Sequence, residues 1–101
     1  MDTMLSSEQR QQLMQTLARN LSVFRAKLNA SQDDLAERLG VTRQTVSAIE
    51  SGQRDMTWTV FLALILIFFR NQETKRLLVA LEIYTPRLDT FLILKEESDS
   101  K

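Results

Sequence analysis

The side chains with chemistry to offer gather in one short stretch, TRQTVS, at positions 42–47. Thr42, Arg43, Gln44, Thr45 and Ser47 bring a guanidinium, a carboxamide and hydroxyls together there. An arginine fork matches the two adjacent acceptors on a guanine edge, and a glutamine amide matches the donor and acceptor of adenine. Acid–base and metal chemistry have less to work with. The chain has no histidine and no cysteine, which removes the commonest general base, the thiolate nucleophile and the usual soft metal ligands. Its carboxylates form no evident acid/base couple. No catalytic residue, metal site or cofactor is therefore expected. An exposed Arg-Gln pair on a helix is, taken alone, usually a solvated face, so its meaning depends on the element that carries it.

Composition sets the frame for that element. The 101 residues, 44% hydrophobic and 26% charged, suit one modest domain with a single core. Thirteen basic residues balance thirteen acidic ones, so attraction to a polyanion must be local rather than global. The start of the chain carries Asp2 and Glu8 and lacks a basic stretch followed by an apolar run, so no secretory leader is expected and the location expected is cytoplasmic. With Gly only at 40 and 52 and Pro only at 86, the chain should be mostly helical.

The first helix should start near Ser6 or Ser7, with Leu13, Leu17, Leu21, Phe24 and Leu28 as one apolar stripe. Ser31 opens a second helix, where SQDD is a capping-box variant with Asp34 in place of Glu or Gln. Leu35, Ala36 and Leu39 form its inner face, and Gly40 supplies a left-handed stop. Thr42 can cap a third helix with Val46 and Ile49 inward, ending at Ser51-Gly52. Two short helices joined through GVT cross steeply, as in a helix-turn-helix.

SQDDLAERLGVTRQTVSAIESG, residues 31–52, closely resembles the helix-turn-helix of the Cro and phage-repressor (Xre-type) family. The agreement runs from about Leu21 to Phe68 and is specific because many positions match in register. The resemblance implies a DNA-binding domain whose third helix enters the major groove N-terminus first, with Thr42, Arg43, Gln44, Thr45 and Ser47 against base edges. It implies phosphate contacts from Gln32, at a helix start where free N–H groups favour an anion, and from Arg54, with Gln53 and Thr57 as weaker candidates. It also implies an ion pair between Arg25 in the first helix and Glu50 at the end of the third. Two features depart from the family: Met56 stands where proline is frequent, and the first helix begins some three turns early.

The run TWTVFLALILIFFR, 57–70, is apolar from Trp58 to Phe69 except for Thr59. That is too short for a membrane span, which needs about 20 residues. As a fourth helix capped by Thr57 it has one face of Trp58, Phe61, Leu62, Ile65, Phe68 and Phe69 for the core. A second face of Val60, Ala63, Leu64 and Ile67 must also be covered. Two covers are available: a second subunit, or the chain's own C-terminal segment. That segment holds a fifth helix capped by Asn71, with Leu77, Leu78, Leu81 and Tyr84 inward, and then either a sixth helix from Thr85-Pro86 or a strand through Phe91–Leu94.

The expectation is thus an all-α, five- to six-helix, lambda-repressor-like domain over residues 1–95. Its helix-turn-helix core spans about 21–69, and a C-terminal cover or dimerisation segment about 71–95. A polar tail follows at 96–101, and a short C-terminal strand is the open alternative. The function expected is a sequence-specific, homodimeric transcriptional regulator of double-stranded DNA, a repressor rather than an activator, with no membrane partner. Two alternatives stay open: an antitoxin whose C-terminal segment holds a toxin, and a helical adaptor that keeps the fold and binds proteins, such as a co-regulator, instead of DNA.

Overall fold

The computed structural model describes residues 4–95, so the expected polar tail at 96–101 lies outside the described residues. Six helices occur among them: α1 (Ser7–Leu28), α2 (Gln32–Leu39), α3 (Arg43–Ser51), α4 (Trp58–Phe68), α5 (Gln72–Ala80) and α6 (Pro86–Phe91).

Each helix begins where a short polar side chain can take up free N–H groups. Ser6 caps α1 and Ser31 caps α2, both as reciprocal capping boxes, with Gln9 and Asp34 reaching back. Thr42, Thr57, Asn71 and Thr85 cap α3 to α6, and Pro86 takes the first position of α6. The stops are equally local. Asn29, Gly40 and Gly52 end α1, α2 and α3 in the left-handed region, at φ 53°, 72° and 83°. A side chain at Gly40 would meet no neighbour within 4 Å, so the backbone angle rather than space makes glycine suitable there.

Leu17, Leu21 and Phe24 of α1, Leu35 and Ala36 of α2, and Val46 and Ile49 of α3 are buried together with Phe61, Leu64, Ile65 and Phe68 of α4. Phe24 and Phe68 stack with centroids 4.7 Å apart. Met56, in the α3–α4 loop, is buried in the core cluster and pins that loop to it.

The fourth helix is covered largely from within the chain. Leu64, expected on its second face, is fully buried, while Val60, Ala63 and Ile67 are half-buried. On the other face Phe61, Ile65 and Phe68 are buried, whereas Trp58, Leu62 and Phe69 are half-buried. The open ridge runs through Thr59, Leu62, Ala63 and Leu66, at 0, 3, 4 and 7 along the helix. Leu66, which neither expected face included, is 65% exposed.

The C-terminal segment joins the same core. Leu78 and Leu88 are fully buried, and Ile83, between α5 and α6, joins them. Thr74 is the single buried polar residue among those described; its hydroxyl donates to the Phe68 carbonyl at 2.6 Å, satisfying the end of α4. Residues 91–94 form no strand. The Leu92 and Ile93 amides donate to Leu88 and Thr90 carbonyls, and no other strand among the described residues offers a partner. Here the Thr85 cap with Pro86 outweighs the β-branched and aromatic content of the segment. The early turns of α1 meet this region: the Arg10 guanidinium lies 5.2 Å from the Trp58 ring centroid and 5.1 Å from that of Phe91. Phe91 meets Trp58 edge-on at 6.2 Å.

Leu88→Ala should therefore lower stability by about 2–5 kcal/mol in urea titrations, whereas Leu94→Ala, at a fully exposed position, should stay within about 0.5 kcal/mol.

Candidate nucleic-acid interface

The first turn of α3 lies at the surface, beside the start of α2. Thr42, Arg43 and Gln44 are exposed, Thr45 and Ser47 are half-buried, and Val46 and Ile49 turn into the core. This division follows from the helical period: two inward β-branched residues three apart leave the polar positions outside. Behind them α2 crosses closely, with Ala36 and Val46 both buried at the crossing. The turn between the helices is tight, with the Val41 amide donating to the Ala36 carbonyl at 3.1 Å.

Glu50 fixes α3 to the other two helices. Arg25 reaches it from α1 through Nε at 2.6 Å from Oε2 and Nη2 at 3.0 Å from Oε1, a bidentate pair. The remaining nitrogen, Nη1, donates to the Ala30 carbonyl at 3.0 Å in the α1–α2 turn. From α2, Gln32 Nε2 donates to Glu50 Oε1 at 2.9 Å. Burial pushes the Glu50 carboxyl up, but the hydrogen bonds from Arg25 and Gln32 and the Arg25 charge outweigh it, so its pKa lies below the ordinary glutamate value. The hydrogen bond to Glu50 raises the Arg25 pKa, against a smaller opposing effect of burial.

The sequence-expected contact residues fall into four groups. Gln32, at the first position of α2, is half-buried and oriented at both ends of its amide, since Oε1 accepts from Arg43 Nη1 at 3.4 Å. Arg54 joins the α3 surface, donating to Thr45 Oγ1 at 3.3 Å, and Thr45 Oγ1 lies 3.0 Å from the Thr42 hydroxyl. Gln44 and Gln53 are exposed with no side-chain hydrogen bond to another described residue. Thr57 is different: its hydroxyl accepts from the Val60 amide at 3.1 Å, so it serves the start of α4.

Two features escaped the sequence reading. One is the Gln32–Glu50 bond, which only the fold brings together. The other is Asp33, whose Oδ1 lies 3.9 Å from Arg43 Nε. The acidic pair after Ser31 was its signal, but only Asp34 has a capping role.

The helix-turn-helix domain family matches residues 16–68, just over half of the chain. The chain belongs to the helix-turn-helix domain family. The matched span runs from within α1 to the last residue of α4, so this helix-turn-helix unit includes Arg25, Gln32, Arg43 and Glu50. An uncharacterized HTH-type transcriptional regulator of Methanocaldococcus jannaschii is 54% identical over 35 residues, which is 35% of this chain and 53% of the relative. A second uncharacterized HTH-type transcriptional regulator, from Methanothermobacter thermautotrophicus, is 50% identical over 40 residues, 40% of this chain and 54% of the relative. The chain thus spans about half the length of the curated relatives it matches. No solved structure matches it significantly.

Glu50→Ala would leave the mostly buried Arg25 guanidinium without its partner, at 18% side-chain exposure. A fully buried pair broken this way costs about 3–5 kcal/mol; partial solvation reduces the expected loss to about 2–3 kcal/mol. Because the folded-state pKa of Glu50 is lowered, its contribution is present above the ordinary value of 4.5 and fades as pH falls through the folded-state value. Melting temperatures from pH 7 to pH 3 should therefore converge for wild type and Glu50→Ala, whereas the exposed control Glu37→Ala should track the wild type throughout.

Proposed function

We propose that this chain is a DNA-binding transcriptional regulator that reads the major groove through α3 as a homodimer and acts as a repressor within the cytoplasm. The observation that carries the reading is the exposed first turn of α3, where Arg43 and Gln44 project from a helix held rigidly by Glu50. Preorganisation matters because a base-edge contact tolerates little angular error, and both side chains begin on an element with a fixed axis. Thr42, Thr45 and Ser47 supply shorter donors and acceptors to the same surface. Gln32 and Arg54 flank it at positions suited to phosphates, the first at a helix N-terminus where the dipole favours an anion. The two similar HTH-type transcriptional regulators, matched over 35 and 40 residues, support the same assignment. No described helix is long and apolar enough to cross a membrane.

Dimerisation follows from reach. One helix-turn-helix reads a few base pairs, and dimers of such domains place two recognition helices about 34 Å apart on a near-palindrome. The ridge of α4 through Ala63 and Leu66, with half-buried Ile67 and Val60 beside it, is the surface proposed for the second copy. Leu66→Glu should convert the dimer to a monomer in sedimentation velocity while keeping the helical circular dichroism of the wild type. An unchanged sedimentation coefficient would move the interface elsewhere.

Selection from a random duplex pool followed by binding titrations tests the DNA reading. Arg43→Ala and Gln44→Ala should each cost about 1–3 kcal/mol and relax preference at one base pair per half-site. Arg54→Ala should weaken all duplexes alike and reduce the salt slope by about one per subunit, whereas Gln32→Ala, which also removes bonds to Arg43 and Glu50, should weaken binding and disturb base preference together. If the wild type selects no sequence, a protein-binding adaptor on the same fold becomes the better reading.

A further inference from the structure

The first turn of α2 carries two carboxylates with different occupations. Asp34 closes the capping box, with Oδ2 accepting from the Ser31 amide at 2.9 Å. Asp33 takes no part in the cap. Its carboxylate faces Arg43, the residue proposed above to read a base edge, at 3.9 Å between Nε and Oδ1. On its other side the same guanidinium donates to Gln32 Oε1 at 3.4 Å. In the free protein the Arg43 guanidinium therefore rests against the start of α2, with about half of the side chain still open to solvent. The hold is light, since the arginine and aspartate side chains are 53% and 78% exposed.

We propose that Asp33 is a positioning residue that keeps Arg43 away from DNA phosphates until a guanine edge displaces it, and so sets the ratio of specific to non-specific binding. The inference rests on the reading of Arg43 as a base-contacting residue. An unrestrained arginine beside a duplex takes a phosphate on any sequence, and such contacts supply most non-specific affinity. A single, solvated carboxylate contact competes well with a single phosphate contact. It competes poorly with the two aligned acceptors of guanine, which engage the fork bidentately. Asp33 thus removes one sequence-independent contact per subunit and leaves the sequence-dependent one accessible. A general role for the negative charge, favouring the start of α2 through the helix dipole, would act without Arg43, and that difference makes the proposal testable.

The full chain and its Asp33→Asn, Asp33→Glu, Arg43→Ala and Asp33→Asn/Arg43→Ala variants would be titrated with the selected duplex and a scrambled one between 50 and 200 mM salt. Asp33→Asn should tighten binding to the scrambled duplex more than to the selected one. On the scrambled duplex its salt slope should steepen by about 0.9 per subunit, so its advantage shrinks about 3.5-fold per subunit, or about twelvefold for the dimer, over that fourfold rise in salt. Asp33→Glu should keep the wild-type ratio, and Asp33→Asn should not steepen the slope once Arg43 is alanine. The proposal is overturned if Asp33→Asn tightens both duplexes by the same factor with or without Arg43, or changes neither. A wild type that discriminates while Asp33→Asn leaves the ratio intact removes this proposal alone. A wild type that prefers no duplex removes the base-reading assignment first, and this proposal with it.

Discussion

One carboxylate ties three helices together. Glu50 accepts a bidentate contact from Arg25 on α1 and a third hydrogen bond from Gln32 on α2, while itself belonging to the last turn of α3. Apolar packing of Val46 and Ile49 sets the distance and approximate crossing of α3 against its neighbours. Bonds with directional demands from two sides narrow that crossing further. Every statement about what the exposed face of α3 can reach depends on this constraint, including the placement of Gln32, whose amide is oriented by Glu50 at one end and meets Arg43 at the other.

The apolar framework meets a different requirement. A helix as uniformly hydrophobic as α4 needs cover on nearly every side, and α1, α2 and α5 provide most of it, with Phe91 of α6 closing on Trp58. Burial of Leu5 at one end of the described chain and Leu88 at the other in a single cluster shows that segments flanking the matched family span are part of the same core. The cost of joining them is a polar seam at the α4–α5 turn, met by Thr74. Its hydroxyl donates to the buried Phe68 carbonyl at 2.6 Å, with the Asn71 carbonyl 3.2 Å away sharing the same hydrogen.

What was legible in the sequence was local. Ser31, Thr42, Thr57, Asn71 and Thr85 mark helix starts because a cap needs only its own residue and the next three, and Gly40 marks a stop because its backbone angle disfavours a Cβ. The register of Arg25 against Glu50 came from resemblance, and the two are in contact in the folded chain. The orientation of α4 was less legible. When almost all positions are apolar, periodicity cannot choose the inner face, and Leu64 lies inside while Leu66 lies outside. Thr74, Ile83 and the Gln32–Glu50 bond were invisible for another reason: each acquires its role from a neighbour that only tertiary packing supplies. The C-terminal strand alternative failed because a cap and a proline decide locally, whereas a strand needs a partner.

The cluster of Arg10, Trp58 and Phe91 has a spectroscopic consequence. Trp58 is the sole indole of the chain, half-buried between a cation and an aromatic edge, and stacked on Phe61 at 4.7 Å. Its emission is therefore set by contacts from α1, α4 and α6 at once, while Arg43 and Gln44 lie on a separate surface. Fluorescence of the unmodified protein accordingly follows the docking of its two flanking segments, and does so without a label on the face that α3 presents.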